Sequence, residues 1–310
     1  MINNEYVAVT VRDNLGYTVR RYGQVMAYKI FGPEFMAKVY YRIVMKEKLN
    51  LENPRTFTEK ICWYKLYYCP QNQLIVRCSD KYTVRSFLEE LGLGDYLSDL
   101  IGVWDDPNQI NWDELPKKFA LKNSNGCGYN IVCTDKSYLD EQATKKLLGH
   151  WLKEHFGYYN AEPHYEVGKK RIICEKYIES AHLLPVDYKI HCMNGIPVVM
   201  QVCDERTAHI TKYVYYDMEG QPMDFGKYPQ KAALDISKEL LADMNRICRI
   251  VAPFFPYVRV DFFVNNGRLQ IGELTFSPSA GLKPDLKFGN GDLKMGEMLD
   301  LKRIEGSNVC

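Results

Sequence analysis

The stretch that most constrains the fold is residues 259–281, RVDFFVNNGRLQIGELTFSPSAG, which has the pattern of two β-strands joined by a tight turn. Asparagine and glycine between two apolar runs are typical of a β-hairpin. Because side chains alternate between the two faces of a strand, Asp261 and Phe262 point in opposite directions. The return strand carries a second acid, Glu273. The sequence therefore predicts an antiparallel hairpin that keeps two carboxylates among apolar neighbours.

The length of the turn decides whether these two acids share a face. A two-residue turn at 266–267 would pair Phe262 with Ile271 and send Asp261 and Glu273 to opposite faces, which would break the argument for a shared site. A three-residue loop, 265–267, would pair Arg259 with Glu273 and bring both acids to one face. Three-residue hairpin loops need a left-handed residue at their end, which the glycine supplies. We therefore expect the three-residue loop.

Two carboxylates on one half-buried face repel each other unless a positive charge lies between them. Arg259 could supply that charge as part of a structural ion pair. The alternative is Mg²⁺, which takes one or two carboxylates together with phosphate oxygens of a substrate. If the acids hold a metal, loss of Asp261 or Glu273 should abolish turnover without unfolding the chain.

A second feature is Lys122, which ends a strand-like run and precedes the glycine-rich segment 123–130, NSNGCGYN. A lysine beside a flexible loop with free backbone N–H groups suits a phosphate. The loop is not a Walker A sequence, and no protein-kinase motif follows it. An ordinary hairpin loop explains the same residues, so the loop alone leaves both interpretations open.

Charged residues mark two further segments, one an apolar strand-like run and the other a charge-rich segment. Glu175 and Lys176 lie inside the apolar run 171–178, RIICEKYI, which is also typical of an edge strand with exposed charges. The segment 204–213 is rich in charged residues. It fits either a mobile lid that supplies cations or a solvated loop.

Composition excludes several classes of protein. The chain of 310 residues is 46% hydrophobic and 25% charged, with a net charge of +1, so it lacks the basic field of a nucleic-acid-binding protein. No apolar run approaches the length of a membrane span. The ten cysteines form no CxxC pair, which argues against a zinc ribbon. With no signal-like apolar start, we expect a cytoplasmic protein with free thiols.

The spacing of apolar residues predicts that the kind of secondary structure changes along the chain. Three helices are expected in the first hundred residues: 34–49, 57–68 and 81–91. The second begins with a capping box formed by Thr56 and Glu59. Beyond residue 100, strands and helices mix, with hairpins at 186–203 and 259–281. This order indicates an α+β fold rather than a doubly wound parallel sheet.

The motifs also occur in a specific order: lysine and glycine-rich loop, apolar strand ending EKYI, R-x-D hairpin, then E-x-x-x-S-P. In this order the chain resembles the ATP-grasp ligase superfamily over about residues 50–285. Five segments resemble its teichuronopeptide-biosynthesis (TupA-like) branch: PRTFTEKICWYK (54–65), SDKYTVR (79–85), LPKKFALKNSNGCGYN (115–130), VDYKIHCMNG (186–195) and the hairpin VRVDFF…GELTFSP (258–278).

The resemblance implies an ATP-grasp fold, in which two α+β lobes hold a nucleotide between them. The implied regions are a mainly helical part (1–100), a small lobe with the glycine-rich loop and adenine hinge (101–184), and a large lobe with the metal-binding hairpin (185–310). Lys122 and the acid pair should then face one cleft.

The resemblance also implies roles for individual residues. The implied nucleotide contacts are Lys122, Asn125, Gly126 and Gly128 at the phosphates, Glu175, Lys176, Tyr177 and Ile178 at the adenine, Asp187 at the ribose, and Lys189 on the same strand as Asp187. The implied catalytic cation at the transferred phosphoryl group is Arg259. Arg206 and Lys212 of the segment 204–213 are the further candidate catalytic cations, for the triphosphate or the acyl phosphate, if that segment is a lid rather than a solvated loop. Asp261 and Glu273 would hold Mg²⁺. Thr275 stands where the superfamily usually has asparagine, which leaves the number of metals open.

The implied activity is ATP-dependent carboxylate–amine ligation through an acyl phosphate. The branch implies that the carboxylate belongs to a uronic acid of a capsular or teichuronic-type surface polysaccharide, or to its precursor, and that the amine is an amino acid or another amine. A glycosyltransferase is the alternative, but the chain has no DxD motif and only Asp105-Asp106. A non-catalytic nucleotide-binding protein is a third possibility.

Overall fold

The computed structural model describes residues 5–10, 15–178, 186–206, 211–228, 232–265 and 267–302. The helices are α1 (Leu15–Met45), α2 (Phe57–Trp63), α3 (Gln73–Ser79), α4 (Thr83–Glu90), α5 (Glu141–Lys153), α6 (Phe156–Tyr159), α7 (Lys238–Val251) and α8 (Gly291–Met298). The strands are β1 (Val7–Val9), β2 (Leu100–Trp104), β3 (Phe119–Asn123), β4 (Asn130–Cys133), β5 (Ile172–Lys176), β6 (Asp187–Met193), β7 (Ile196–Arg206), β8 (Thr211–Tyr216), β9 (Pro222–Met223), β10 (Tyr257–Asn265) and β11 (Arg268–Thr275).

The N-terminal helices follow local sequence signals. Helix α1 begins well before the predicted start at residue 34 and is interrupted at Gly32, which adopts a positive φ of 80° just before Pro33. Glycine tolerates this conformation and proline cannot donate the next helical hydrogen bond, so the pattern predicted only the second half. The capping box is confirmed, because Thr56 N donates to Glu59 Oε2 (3.1 Å) and Glu59 N donates to Thr56 Oγ1 (3.3 Å).

The first sheet has five antiparallel strands in the order β1-β4-β3-β5-β2. Burial alternates along β3, where Phe119 and Leu121 enter a core that includes Trp151 of α5. Lys122 therefore lies on the opposite face of the sheet from this core. This arrangement places the lysine at the end of β3, immediately before the glycine-rich loop.

The second sheet has six antiparallel strands in the order β11-β10-β6-β7-β8-β9. On one face, Val258, Val260 and Phe262 of β10 belong to a core shared with Ile247 of α7. The other face carries the charged residues of the hairpin. The mixture of helices with two antiparallel sheets confirms the predicted α+β class.

Helix α2 attaches the N-terminal region to the end of the chain. Thr58 donates from both its backbone N and its Oγ1 to the carboxylate of Asp292, at 2.8 Å each. Lys60 Nζ donates to the carbonyls of Gly296 and Leu299 at the end of α8. All nine cysteines in the described ranges are free thiols, as predicted. Within those ranges, no helix combines the length and apolar character needed to cross a bilayer.

Candidate active site

The register of the β10–β11 hairpin differs from the prediction. Asn265 pairs with Arg268, so only two residues join the strands, and the expected three-residue loop is wrong; Asn266 itself lies outside the described residues. A β-bulge then leaves Gly272 as an extra residue, and Asp261 pairs directly with Glu273. A Cβ at position 272 would lie 3.2 Å from the ring of Phe263, so glycine suits this bulge.

Because of the bulge, four polar side chains share one face of the hairpin: Arg259, Asp261, Glu273 and Thr275. Arg259 donates to Asp261 through Nε (2.6 Å) and Nη2 (2.7 Å), and Lys189 Nζ lies 2.5 Å from Asp261 Oδ2. Burial alone would raise the pKa of Asp261, but Arg259 and then Lys189 hold that pKa below its usual range. Burial acts against the charged guanidinium, yet its acidic neighbours raise the pKa of Arg259 above the ordinary value.

This arrangement corrects one expectation. Asp261 is buried between two cations, so its removal leaves Arg259 and Lys189 unpaired and should destabilise the fold. Glu273 differs, because its side chain is 32% exposed and contacts Arg259 at 3.4 Å. The expectation that either acid can be lost without unfolding therefore suits Glu273 and not Asp261.

The oxygen donors on this face fit Mg²⁺. The hydroxyl of Thr275 donates to Glu273 Oε1 at 3.0 Å, so the two residues present adjacent oxygens. Asp261 Oδ1 accepts only the Nε of Arg259 among the described residues, which leaves one lone pair. No cluster of three or more His, Cys, Asp or Glu in the described ranges could hold a metal by itself. Such a sparse set matches Mg²⁺, which also uses phosphate and water oxygens.

The hairpin forms one wall of a cavity of about 310 Å³. Arg259, Glu273 and Thr275 line this wall, and Gly126 and Cys127 of the glycine-rich loop line another. Residues far apart in sequence, from the hairpin of one sheet and the loop of the other, therefore meet around one space. We call this space the hairpin cavity.

The N-terminal motif SDKYTVR positions the glycine-rich loop. Asp80 Oδ2 accepts a hydrogen bond from Ser124 Oγ (2.5 Å), and Lys81 N donates to Ser124 O (2.8 Å). The ammonium of Lys81 donates to the carbonyl of Gly126. Sequence reasoning gave neither residue a role at the loop, because nothing local indicates a contact more than forty residues away.

The predicted phosphate-binding residues of the loop differ in role: the two glycines allow its backbone conformation, and the asparagine side chain is buried. Gly126 and Gly128 adopt φ values of 80° and 86°, which favour glycine. A Cβ at Gly126 would collide with the ring of Phe156 at 2.7 Å. Asn125 is buried, and its amide donates to the carbonyl of Tyr165, so this side chain fixes the loop.

Lys122 does not line the hairpin cavity; it pairs with Glu175 on the neighbouring strand. The distance from Lys122 Nζ to Glu175 Oε2 is 2.5 Å, and Arg85 lies 3.7 Å from Glu175 Oε1. Glu175 is thus a buried anion between two cations. The phosphate role of Lys122 and the adenine role of Glu175 stay predictions.

The predicted hinge residues Lys176, Tyr177 and Ile178 line a second cavity of about 920 Å³. Arg268 and Gln270, near the turn of the hairpin, line the same space. The volume lies within the range of small-molecule and cofactor sites. We call it the hinge cavity.

The remaining predicted residues lie on β6 to β8. Asp187 Oδ2 is 3.5 Å from Lys189 Nζ, so these two residues belong to the cluster around Asp261. Arg206 ends β7, and its side chain lies outside what the structure describes, while Lys212 is a half-buried residue of β8. Both ends of the segment 204–213 are therefore strand and not a long loop. Residues 207–210 lie outside the described part of the chain.

Sequence reasoning gave no role to three residues near the hairpin cavity, namely Lys65, Glu162 and Lys283. Lys283 is buried, and its ammonium lies 3.6 Å from the ring centre of Tyr213. Burial lowers the pKa of Lys283 to about 8. Its position after the E-x-x-x-S-P motif gave no signal of this burial.

Two antiparallel sheets, one with a lysine and a glycine-rich loop and the other with an R-x-D hairpin, fit the class of ATP-grasp ligases that the sequence resemblance implies. The profile of the TupA-like ATPgrasp family matches residues 59–299, and the chain belongs to this family. The family assignment confirms the predicted fold and the predicted class of carbon–nitrogen ligase.

Solved structures with a similar fold include two D-alanine–D-alanine ligases. The enzyme from Bacillus anthracis complexed with ATP is 17% identical, with 74% of this chain and 69% of that chain covered and a TM-score of 0.48. The Helicobacter pylori enzyme is 14% identical, with coverages of 78% and 69% and a TM-score of 0.44. N5-carboxyaminoimidazole synthase from Aspergillus clavatus, in complex with ADP and its ribonucleotide, is 12% identical, with coverages of 66% and 45% and a TM-score of 0.41. No curated protein matches the sequence significantly.

Proposed function

We propose that this protein is an ATP- and Mg²⁺-dependent ligase that joins an amine to the carboxylate of a uronic acid in a surface polysaccharide or its precursor. The observation that carries the proposal is the hairpin cavity. Arg259 and Glu273 of one sheet face the same space as Gly126 and Cys127 of the other. A fixed guanidinium, an accessible carboxylate and a glycine-rich loop are the groups that phosphoryl transfer requires.

Positioning is the main task of the side chains. Asp261 fixes Arg259 through two hydrogen bonds, so the guanidinium offers a positive charge that does not have to reorganise. Glu273 and Thr275, with Asp261, would hold Mg²⁺, which when bound neutralises charge on the triphosphate. The glycine-rich loop, fixed by Asp80, would cover the phosphates. In the proposal the adenine lies beside the hinge residues.

The reaction balances without a covalent enzyme intermediate. An oxygen of the substrate carboxylate attacks the γ-phosphorus of ATP, and the bond from that phosphorus to the ADP oxygen breaks. The nitrogen of the amine then attacks the acyl carbon of the acyl phosphate. The bond from carbon to the phosphate oxygen breaks, and inorganic phosphate leaves with the electron pair. Correct alignment of these groups accounts for most of the rate enhancement over the uncatalysed reaction.

The uronic-acid substrate rests on the resemblance to the teichuronopeptide branch, and a cytoplasmic location follows from the need for ATP. The glycosyltransferase alternative has no support in the site. Asp105 forms an ion pair with Lys169 at 2.5 Å, and Asp106 accepts the backbone N–H of Asn108. Both acids therefore have structural roles on the surface.

The test combines the purified protein with ATP, Mg²⁺, a panel of uronic-acid derivatives and a panel of amino acids. ADP release and product mass are measured together, with Glu273→Gln as the inactive control. The proposal predicts ADP and an amide product for at least one pair of substrates. ATP binding without ADP formation across both panels would contradict it and favour a non-catalytic nucleotide-binding protein.

A further inference from the structure

The hairpin cavity contains a second carboxylate that the sequence did not indicate. Glu162 lines the end of the cavity formed by Ser277, Ser279 and Ala280, and it is 4% exposed. Ser277 Oγ donates to Glu162 Oε1 at 2.6 Å. The same cavity is lined by Arg259, so a buried anion and a buried cation border one space.

The charge of nearby Lys65 and hydrogen bonds from Ser277 and Asn160 offset part of the cost of burying this carboxylate, but no direct ion pair within the described ranges does. Among the described residues, no lysine or arginine forms a salt bridge with Glu162. The nearby ammonium of Lys65 donates instead to the carbonyls of Asn160 and Ala280, at 2.7 Å each. A buried carboxylate that lacks a salt bridge carries a desolvation cost. The cavity, however, gives it access to a cationic ligand.

We propose that Glu162 binds the ammonium group of the amine substrate and accepts its proton, so that the amine can attack the acyl phosphate. This inference rests on the proposed ligase function and assigns the acceptor end of the same site. The volume of about 310 Å³ is at the lower limit for ligand pockets, so the amine is a small molecule of amino-acid size.

The charge layout supports this assignment. Arg259 and Lys81 line the cavity, where they attract phosphate and carboxylate oxygens, whereas Glu162 attracts an ammonium. Burial raises the pKa of Glu162, and Lys65 and Ser277 offset part of the rise. A carboxylate with a raised pKa is a better proton acceptor near neutral pH. The titratable groups around Glu162 are Lys65, His164, Tyr165, Cys62, Cys69 and Cys127.

The proton balance of the step is complete. The R–NH₃⁺ group gives one proton to Glu162 and becomes R–NH₂, whose lone pair attacks the acyl carbon. The carbon–oxygen bond breaks, and phosphate leaves with the electron pair. The nitrogen, now positively charged, gives its second proton to the departing phosphate. Glu162 finally returns its proton to solvent.

Hydroxylamine provides the decisive probe. It is already uncharged at neutral pH, so it traps the acyl phosphate as a hydroxamate without a base. Glu162→Gln should lower amide formation about 100-fold, with a higher KM for the amine. The same variant should keep hydroxamate formation and the Kd for ATP within a factor of about three. Glu166→Gln is the matched control, because Glu166 lies four residues away, contacts His155 at 2.8 Å and does not line the cavity.

The outcomes separate the two proposals. No hydroxamate from the wild-type protein would contradict the ligase function itself. Hydroxamate and amide falling together in Glu162→Gln, or neither changing, would overturn the role of Glu162 alone. If Glu162→Gln does not fold, Glu162→Asp keeps the charge and shortens the side chain; it should show a raised KM for the amine with unchanged hydroxamate formation. Loss of both products in a folded Glu162→Asp would also overturn the assignment.

Discussion

Asp80 accepts a hydrogen bond from Ser124 Oγ at 2.5 Å, and this contact joins the N-terminal helices to the glycine-rich loop. The other oxygen of Asp80 accepts the backbone N–H groups of Tyr82 and Thr83, at 2.9 Å each, at the start of α4. One buried carboxylate thus holds the turn that leads into α4 and fixes the loop that faces the hairpin. The helical region therefore supports the active site directly.

The first prediction concerns this contact. Asp80→Ala should cost about 1–3 kcal/mol of stability, because it leaves Ser124 and the backbone N–H groups of Tyr82 and Thr83 without their acceptor. It should also weaken ATP binding, because the loop is no longer fixed. Urea unfolding and ATP titration measure the two effects. Asp140→Ala is the control, since Asp140 caps α5 through Ala143 N (2.9 Å) and lies outside both cavities. Equal ATP affinities in the two variants would refute the link.

The second prediction separates the two acids of the hairpin. Glu273→Gln should abolish ligation and leave the melting temperature nearly unchanged, because this side chain is partly exposed. Asp261→Asn should cost about 3–5 kcal/mol, because it leaves buried Arg259 and Lys189 without their partner. Thermal melts and ADP release test both statements. Equal stability of the two variants would show that Asp261 is not the structural partner of these cations.

The third prediction concerns Lys122. Lys122→Met should raise the KM for ATP at least about tenfold, as expected for loss of one phosphate contact worth about 1.5–3 kcal/mol. Lys146→Met, an exposed substitution on α5, should change nothing. Initial rates at varied ATP distinguish the two. An unchanged KM in Lys122→Met would limit this lysine to its ion pair with Glu175.

The fourth prediction concerns pH. Burial, and next the charge of Lys65, lowers the pKa of His164 to about 3, below its unfolded value near 6.5. The unfolded chain therefore binds the proton first, and stability falls as the pH drops from 6.5 towards 3.

Between pH 6.5 and 5, His164→Asn should show a shallower loss of stability than the wild-type protein, with a difference in slope that approaches about 1.4 kcal/mol per pH unit near pH 5. Urea unfolding at several pH values gives both slopes. Parallel curves would show that His164 titrates normally in the folded state.

Much of the fold could be predicted because its signals are local. The alternation of apolar residues predicted the strands, and the pair Thr56 and Glu59 predicted the start of α2. The hairpin around Asn194 and Gly195 was also correct, because both residues adopt the positive φ that such a turn requires.

The register of the hairpin could not be derived in the same way. Turn length and bulge position jointly decide which residues pair, and either a three-residue loop or a bulge brings the acids to one face. The bulge at Gly272 depends on packing against Phe263, which is not visible in the local pattern. The prediction that the acids converge was therefore right although the predicted loop was wrong.

The acceptor end of the site was missed for a different reason. Glu162 lies in a short irregular segment between α6 and β5, and its partner Ser277 is 115 residues away. Lys65 likewise acts through the carbonyls of Asn160 and Ala280. Contacts of this kind arise only when the N-terminal helices pack on both sheets.

The most direct test of the central claim is anomalous diffraction from crystals grown with Mn²⁺ and a non-hydrolysable ATP analogue. We predict a manganese peak about 2.1 Å from an oxygen of Glu273, with the triphosphate between the hairpin and the loop that follows Lys122. A manganese ion or a triphosphate bound away from Glu273, outside the hairpin cavity, would contradict the claim.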